Sequence, residues 1–247
     1  MNRRRLTVLM VATFFIGAAP LSPAEILAKV DALAQPQSSH MLIEQTIETT
    51  GGGVRSFTIE SWSSARGEKS VMRFLAPAPS RGIGMLALEH GDNIWVYFPD
   101  SDDLRKIAGS ARNQSLQGSD FSYDDMAGGE FARRYRAQSA AADTLDGKKC
   151  IKLALTPHTP GSYRRVVLWV DGQSFIPYQA LHYDEKNALV KTLLFSEWRQ
   201  VKGIWTPFRM TMQNHRRDSQ TVIRILKVSY NRETDAEKFT TRFLTAL

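Results

Sequence analysis

Short runs of β-branched and aromatic residues, separated by turn residues, dominate this chain. About eleven such runs can be distinguished, each too short for a long helix. The separating segments include Gly51-Gly52-Gly53, Gly91-Asp92 and Asp171-Gly172, which are typical of antiparallel connections. The pattern predicts a mainly β fold with few helices, in one large curved antiparallel sheet or barrel. The predicted strands are residues 41–49, 54–62, 69–75, 85–89, 93–98, 148–156, 164–170, 179–183, 189–198, 204–213 and 221–228.

Two segments depart from the strand pattern. Residues 24–33 place Ile26, Leu27 and Val30 at helical spacing and stop before Pro36, which predicts a short amphipathic helix. Residues 109–132 carry Gly and Ser, with a short helical stretch around 123–126. An insertion of this length in a β protein is usually functional or mobile.

The first residues have the layout of a secretory signal peptide. Arg3, Arg4 and Arg5 precede an uncharged apolar run, and the small residues Ser22 and Ala24 then fit the positions that signal peptidase recognises. We therefore expect residues 1–24 to be removed near Ala24 and the protein to reside in the periplasm. Since no linker or repeat divides residues 25–247, we predict that they form a single domain.

Composition excludes several classes of protein. Cys150 is the one cysteine, so no internal disulfide can form, and no cysteine follows the apolar run to carry a lipid anchor. The net charge is +7, and its basic residues are spread along the chain, which does not predict a nucleic-acid partner.

Signatures of catalysis are also missing. The five histidines are isolated from one another, which predicts no metal site and no cofactor. Residues 82–87 match the spacing of a dinucleotide fingerprint but lack the strand and long helix around it. Asp124 and Asp125 are expected to be solvated on an exposed turn, and with Cys150 they are the weak candidates for an enzyme active site. We predict that the protein is not an enzyme.

Several predicted strands are apolar on both faces. Residues 94–98 and 166–170 lose the alternation expected for a half-solvated sheet, so each must be covered on two sides. These residues could form ordinary core, or a curved sheet could enclose an apolar cavity with an adaptable methionine lining. The candidate cavity residues are Trp62, Met72, Phe74, Met85, Leu86, Trp95, Tyr97, Trp169, Phe195, Trp198 and Met210.

Several motifs resemble the LolA-like family, in its outer-membrane lipoprotein-sorting branch. They are Gly91-Asp92-Asn93-Ile94-Trp95-Val96-Tyr97-Phe98-Pro99, Phe74-Leu75-Ala76-Pro77, Arg81-Gly82-Ile83-Gly84 and Gly118-Ser119-Asp120-Phe121-Ser122-Tyr123-Asp124-Asp125-Met126. The resemblance extends from the first helix to residues 239–244.

The resemblance implies an unclosed β-barrel of about eleven strands, with helices across its concave face as a lid over an apolar cavity. It implies a carrier of lipoprotein or lipid acyl chains between an inner-membrane transporter and an outer-membrane receptor. Arg66, which follows Trp62, is the candidate latch between lid and sheet. The motif loop is the candidate partner contact, through Gly118, Ser119, Asp120, Phe121, Tyr123, Asp124 and Asp125.

Two other functions remain open from the sequence. The protein could be a non-catalytic accessory subunit of an efflux-type membrane transporter, using residues 109–132 as its contact surface. It could also be an enzyme that modifies envelope lipids.

We predict cleavage close to Ala24 on export, because the charged, apolar and small-residue regions follow in the required order. Intact-mass measurement of protein from the cell envelope should give a chain beginning near Glu25. Recovery of a chain that retains Met1 would contradict the prediction.

Overall fold

The computed structural model describes residues 21–128 and 130–246, most of which lie in a single antiparallel sheet. Its thirteen strands are ordered β6-β5-β4-β3-β2-β1-β13-β12-β11-β10-β9-β8-β7. The strands are β1 (Ser38–Glu48), β2 (Val54–Ser64), β3 (Lys69–Ala76), β4 (Gly84–Leu88), β5 (Asn93–Phe98), β6 (Asp103–Ile107), β7 (Tyr135–Leu145), β8 (Lys148–Pro157), β9 (Arg165–Asp171), β10 (Pro177–Tyr183), β11 (Leu189–Val201), β12 (Ile204–Asn214) and β13 (Ser219–Tyr230). The α-helices are α1 (Pro23–Ala32), α2 (Tyr123–Met126), α3 (Phe131–Arg134) and α4 (Thr241–Thr245).

The sheet is curved but does not close. Its end strands β6 and β7 pair only with β5 and β8, respectively. Side chains nevertheless meet across one face, since Arg133 beside β7 donates to Asp92 beside β5, with 2.8 Å between Nη2 and Oδ2. The predicted mainly β, unclosed antiparallel sheet is therefore confirmed.

The strand count differs from the prediction because β6 and β7 were not expected. These are the two edge strands of the sheet. β6 exposes Leu104, Arg105 and Lys106 in succession, and β7 is rich in alanine with most of its residues exposed or half-buried. Edge strands often carry charged and polar residues that discourage pairing with other chains, so they lack the apolar signal of a central strand.

The concave face is covered by helices and by the segment that joins β6 to β7. Helix α1 is capped by a reciprocal pair between Ser22 and Glu25, and it buries Ile26, Leu27 and Val30 against strands β7 to β11. Burial of each such side chain contributes about 1.5–3 kcal/mol. On the other half of the sheet, α2 and its flanking turns pack against β1 to β6.

The convex face of strands β2 to β5 is covered as well. Phe239 and Leu244 near the C-terminus pack there against Trp62, Leu86 and Tyr97. This explains the loss of alternation in β5, because Ile94 and Val96 face the concave core while Trp95 and Tyr97 face α4.

The predicted signal peptide lies almost entirely outside the described residues, so cleavage near Ala24 stays a prediction. Among the helices that the structure describes, none combines the length and the apolar character needed to span a membrane.

We expect Leu244→Ala to lower the free energy of unfolding by about 2–5 kcal/mol, because it opens a cavity between α4 and the sheet. Leu244 is 1% exposed, whereas Leu226 is 50% exposed and provides a matched control. Leu226→Ala should change stability by less than about 0.5 kcal/mol. Urea unfolding of the two variants measures both values, and equal stabilities would show that α4 does not contribute to the fold.

Candidate functional site

An apolar cavity of about 370 Å³ lies between the C-terminal end of α1 and the concave face of the sheet. Its wall is built from the α1 region, from β1 and β10 to β13, and from the segment before β7. The apolar lining residues are Val30, Leu33, Ala34, Pro36, Met41, Phe131, Pro177, Phe195, Trp198, Trp205, Pro207, Met210, Ile225 and Tyr230. Its volume is within the range of about 300–1,000 Å³ that is usual for small-molecule sites.

Cross-strand pairing assembles the floor of the cavity. Phe195 on β11 lies opposite Met210 on β12, and Trp198 lies opposite Pro207 on the same pair of strands. Residues opposite each other in an antiparallel pair share a face. The ring centroids of Phe195 and Trp198 lie 6.3 Å apart, and this contact joins the two pairs into one surface. Methionine and aromatic side chains adapt to irregular apolar ligands because of the flexibility and polarizability of the thioether and the area of the rings.

Helix α1 forms the roof and is attached by a few polar contacts. The Asp31 carboxylate accepts hydrogen bonds from the backbone N–H groups of Phe131 and Ala132, each at 2.8 Å. Gln35 donates from Nε2 to Glu130 at 2.7 Å, and the backbone N–H of Trp205 donates to the Leu33 carbonyl at 3.2 Å. Burial raises the pKa of Asp31 to about 6, although the two backbone hydrogen bonds oppose the rise.

Arg66 lies at the rim of the cavity. Its backbone N–H donates to the carbonyl of Gln37, in the connection between α1 and β1, at 3.2 Å. With the Gln37 amide oxygen turned toward Arg66, the guanidinium also donates to it, at 2.8 Å from Nε and 3.0 Å from Nη2. Arg66 therefore joins the turn after β2 to the segment that carries α1.

A larger hollow of about 760 Å³ lies between the segment that joins β6 to β7 and the connection between β8 and β9. Most of its lining residues are polar. Arg112, Arg133 and Arg134 line it, and each is already paired with Asp92 or Asp124. Its charged groups satisfy one another, so this hollow offers little to an apolar ligand. The smaller apolar cavity is the better candidate site.

Buried carboxylates attach the segment between β6 and β7 to the concave face of the sheet. Asp120 accepts hydrogen bonds from the hydroxyls of Ser219 and Thr221, at 2.6 and 2.8 Å. Arg217 adds an ion pair, with 3.1 Å between Nη2 and Oδ1 of Asp120. The segment is thereby tied to β13 and to the turn before it.

Asp125 makes a second anchor, to β11. Its side chain is 7% exposed and accepts from Lys191 Nζ at 3.0 Å and from the Tyr163 hydroxyl at 2.9 Å. Burial alone would raise the pKa of this carboxyl, but Lys191, His182 and the Ser122 N–H together lower it to about 2. Burial lowers the pKa of the neighbouring His182 to about 4, although Asp125 opposes that shift.

The comparisons with known proteins agree with this architecture. A family model described as an uncharacterized protein family matches residues 66–246, which is more than half of the chain. A DUF1329 family protein from Desulfovibrio piger has 28% sequence identity and a TM-score of 0.82, over 90% of this chain and 97% of that chain.

Two further crystal structures share the fold. A LolA superfamily protein from Nitrosomonas europaea has 22% identity and a TM-score of 0.77, over 91% of this chain and 100% of that one. A domain from Vibrio parahaemolyticus classed as outer membrane lipoprotein-sorting has 22% identity and a TM-score of 0.83, over 90% of this chain and 98% of that one. The chain belongs to the uncharacterized protein family whose model it matches, and it shares the fold of these LolA-like structures. A comparison with curated protein sequences found no significant match.

The LolA-like resemblance correctly predicted the sheet, but the structure distributes the predicted cavity residues over three environments. Phe195, Trp198 and Met210 line the apolar cavity, with Arg66 at its rim. Phe74 and Met85 are buried in the core formed with α2, and Met72 packs against it.

The other five candidates lie on the convex face, which corrects the expectation that they line the cavity. Leu86, Trp95 and Tyr97 alternate along their strands with residues of the concave core, so they point the opposite way. Trp62 shares their cluster and stacks on His40. The remaining residue, Trp169, donates from Nε1 to Asp143 at 3.0 Å on the convex side.

The expectation of solvated carboxylates on an exposed turn is wrong for Asp124 and Asp125. Asp124 accepts from Arg112 and Arg134, each at 2.6 Å. Sequence reasoning missed these pairs because their partners are distant in the chain or lie in segments without a recognisable pattern. Cys150 is buried, and its Sγ lies 3.1 Å from the Lys148 carbonyl oxygen.

Ser119, Asp120, Phe121 and Tyr123 of the LolA-like motif loop are also buried, so most of the loop is structural rather than an open surface. Sequence reasoning also missed cavity residues such as Met41, Phe131, Trp205 and Ile225. Alternation along β1 could have indicated Met41. Phe131 and Trp205 have no local signal, since their place in the wall depends on how α1 crosses the sheet.

We predict opposite effects of pH on stability from His182 and Asp31. The lowered pKa of His182, about 4 against a usual 6.5, means that the unfolded chain binds the proton more readily, so its contribution is lost as pH falls from about 6.5 to 4. Asp31 has a raised pKa of about 6, so its contribution is lost as pH rises from about 4 to 6.

Single substitutions should separate the two effects. In His182→Phe, which keeps a ring but cannot titrate, stability should fall as pH rises from about 4 to 6. In Asp31→Asn it should instead rise with pH over the same range, more steeply than in the unmodified protein. Urea midpoints measured across this range provide the test, and identical profiles for both variants would contradict these assignments.

Proposed function

We propose that this LolA-like protein is a periplasmic carrier that holds an acyl chain of a lipid or lipoprotein in the cavity under α1. The observation that carries the proposal is an apolar hollow on the concave face whose floor is Phe195, Trp198 and Met210. An acyl chain has no polar group along its length, so apolar area is what can bind it. Each buried methylene contributes about 0.8 kcal/mol.

The attachment of the roof suits a site that must admit and release a long chain. Helix α1 is held near the cavity by Asp31, Gln35 and Leu33 through contacts that a small movement can break and remake. Ile26, Leu27 and Val30 hold the rest of the helix in the core, so the end of α1 after Val30 opens at lower free energy than the helix itself. We propose that this end of α1 and its connection to β1 move together as the lid, with Arg66 as the latch.

The ion pairing and burial of the candidate catalytic groups support a carrier rather than an enzyme. Asp124 and Asp125 are each held in ion pairs, and Cys150 is buried. These groups have structural partners, which favours binding over chemistry. The proposed role also includes delivery between an inner-membrane transporter and an outer-membrane receptor. The resemblance to the LolA-like family implies this step.

An accessory role at an efflux-type transporter is the second candidate. It would use the segment between β6 and β7 as a contact surface, but Ser119, Asp120 and Phe121 of that segment are buried against the sheet. Only its other parts, such as Gly109 and Ser110, are exposed. The cavity therefore supports the carrier better.

We expect Phe195→Asp to keep the protein folded and to weaken binding of a fluorescent fatty-acyl probe by about tenfold or more. Phe195 is half-buried, so the carboxylate can remain hydrated when the cavity is empty, whereas the acyl chain would have to remove its water. Probe titration and thermal melts would be carried out on the same samples.

Two controls bracket this result. Phe74→Asp places a charge at a residue that is 0% exposed and should unfold much of the protein, at a cost of several kcal/mol. Trp169→Ala removes an aromatic residue from the convex face and should leave probe binding unchanged. If the unmodified protein binds no acyl probe, or if Phe195→Asp binds it normally, the carrier proposal fails.

A further inference from the structure

The polar hollow between the segment that joins β6 to β7 and the β8–β9 connection carries more positive than negative charge. Apart from histidines, its acidic and basic lining residues are Arg112, Arg133, Arg134, Asp92 and Asp124. Each arginine forms an ion pair, but the three of them share two carboxylates. No other Asp, Glu, Lys or Arg of the described residues lines the hollow, so one positive charge is left uncompensated.

The donor groups of these arginines are used to different extents. In Arg112, Nε and both Nη atoms donate hydrogen bonds, to Asp124 and to backbone carbonyls. Arg134 donates only from Nη2, to Asp124 at 2.6 Å. Arg133 also donates only from Nη2, to Asp92 at 2.8 Å and to a backbone carbonyl at 3.4 Å. Among the residues that the structure describes, Nε and Nη1 of Arg133 and Arg134 therefore have no partner.

These unpaired donors are open rather than enclosed. The side chains of Arg133 and Arg134 are 42% and 27% exposed, and both residues line the hollow. Both unpaired nitrogens of Arg134 keep accessible surface. A group that enters the hollow can therefore reach these donors without displacing packed side chains.

The β8–β9 connection forms the facing wall and is fixed to α3. The backbone N–H of His158 donates to the Arg134 carbonyl at 2.9 Å, and His158 Nε2 lies 3.1 Å from the Ala132 carbonyl oxygen. Thr159 and Gly161 line the hollow from this side. These contacts and the ion pairs hold the guanidiniums in position beside the facing wall, which lowers the cost of ordering them when a ligand binds.

The chemistry of the guanidinium group indicates the ligand. Arginine stays protonated in proteins, and its planar fork of N–H donors matches the oxygens of phosphate and carboxylate groups. A phosphate group offers more acceptor oxygens than a carboxylate, so it can bridge two guanidiniums. We propose that the polar hollow binds a phosphate group through Nε and Nη1 of Arg133 and Arg134.

The position of the hollow favours a lipid as the source of this phosphate. His90 lines both the polar hollow and the apolar cavity, and α3 directs Phe131 to the cavity but Arg133 and Arg134 to the hollow. A ligand with an acyl chain and a phosphate would therefore find an apolar and a cationic site on the two sides of one short helix. The choice of a lipid over a soluble phosphate ester rests on the proposed acyl-binding function, whereas the phosphate site itself does not.

The experiment compares three probes. Lauroyl lysophosphatidic acid has an acyl chain and a phosphate, monolauroylglycerol has the same chain without the phosphate, and glycerol 3-phosphate has the phosphate without the chain. Each is titrated calorimetrically into the full chain, below the concentration at which the lipids aggregate. We expect the lysophosphatidic acid to bind about tenfold more tightly than monolauroylglycerol, because charge-assisted hydrogen bonds to its phosphate add to the apolar contacts.

Substitutions assign the effect to the two arginines. Arg133→Gln should weaken binding of the lysophosphatidic acid by about tenfold and change that of monolauroylglycerol by no more than about twofold. It breaks an ion pair between two exposed side chains, so the fold should be kept. Arg134→Lys keeps the charge beside Asp124 but removes the fork, and it should act in the same direction. Arg136→Gln is the matched control, because it changes an exposed arginine outside the hollow and should alter neither affinity.

The outcomes separate this inference from the proposed function. If glycerol 3-phosphate does not bind and the two lipids bind equally, or if neither arginine variant changes the ratio of their affinities, the phosphate site is overturned while the acyl cavity remains. If glycerol 3-phosphate binds as tightly as the lysophosphatidic acid and needs Arg133, the site stands and its ligand is a soluble phosphate ester. If glycerol 3-phosphate alone binds, the acyl-binding function fails and the phosphate site survives. If no probe binds, both fail.

Discussion

The pairing of the first strand with the last holds this molecule together. Every other neighbouring pair in the sheet is also adjacent in sequence, so β1 to β6 and β7 to β13 are two simple meanders. Hydrogen bonds between β1 and β13, in a register that runs from Ser39 opposite Tyr230 to Glu48 opposite Gln220, join the meanders into one surface. Without this pair each meander would expose an additional long edge, which is a hazard for aggregation.

The concave face spans this junction, and the described strands form no second sheet to cover it. It is filled instead from two directions. Phe121 and the neighbouring Met126 pack over Met212 and Ile223, near the junction, while α1 covers the other half. The apolar cavity is the space left under the end of α1, with Met41 and Ile225 at the junction in its wall.

The two coverings are fastened by different physical means. The segment containing α2 is tied down by Asp120 and Asp125, whose carboxylates are buried with several hydrogen-bond partners each. Removing one partner from a buried ion pair is strongly destabilising, so such anchors hold a segment in one position. Helix α1 has apolar contacts along one side and a few polar bonds at its end, which leaves it the more easily displaced of the two.

The sequence by itself determined the class of fold and most of the strands, because a central strand carries its own apolar signal and its own turns. It identified α1 from the spacing of Ile26, Leu27 and Val30, and the motif around Trp95 indicated the LolA-like fold. The sequence did not predict the edge strands β6 and β7, because an edge strand is partly exposed to water and needs no apolar pattern.

Only the tertiary structure decided which apolar residues surround the cavity. Strand alternation fixes that Trp95 and Val96 point to opposite faces, but not which face is concave or where a terminal helix such as α4 will pack. Likewise the adjacent carboxylates Asp124 and Asp125 gain their partners from β11, from the connection before β9 and from the segments flanking α2. A face is a local property of a strand, whereas its covering depends on contacts between residues far apart in the chain.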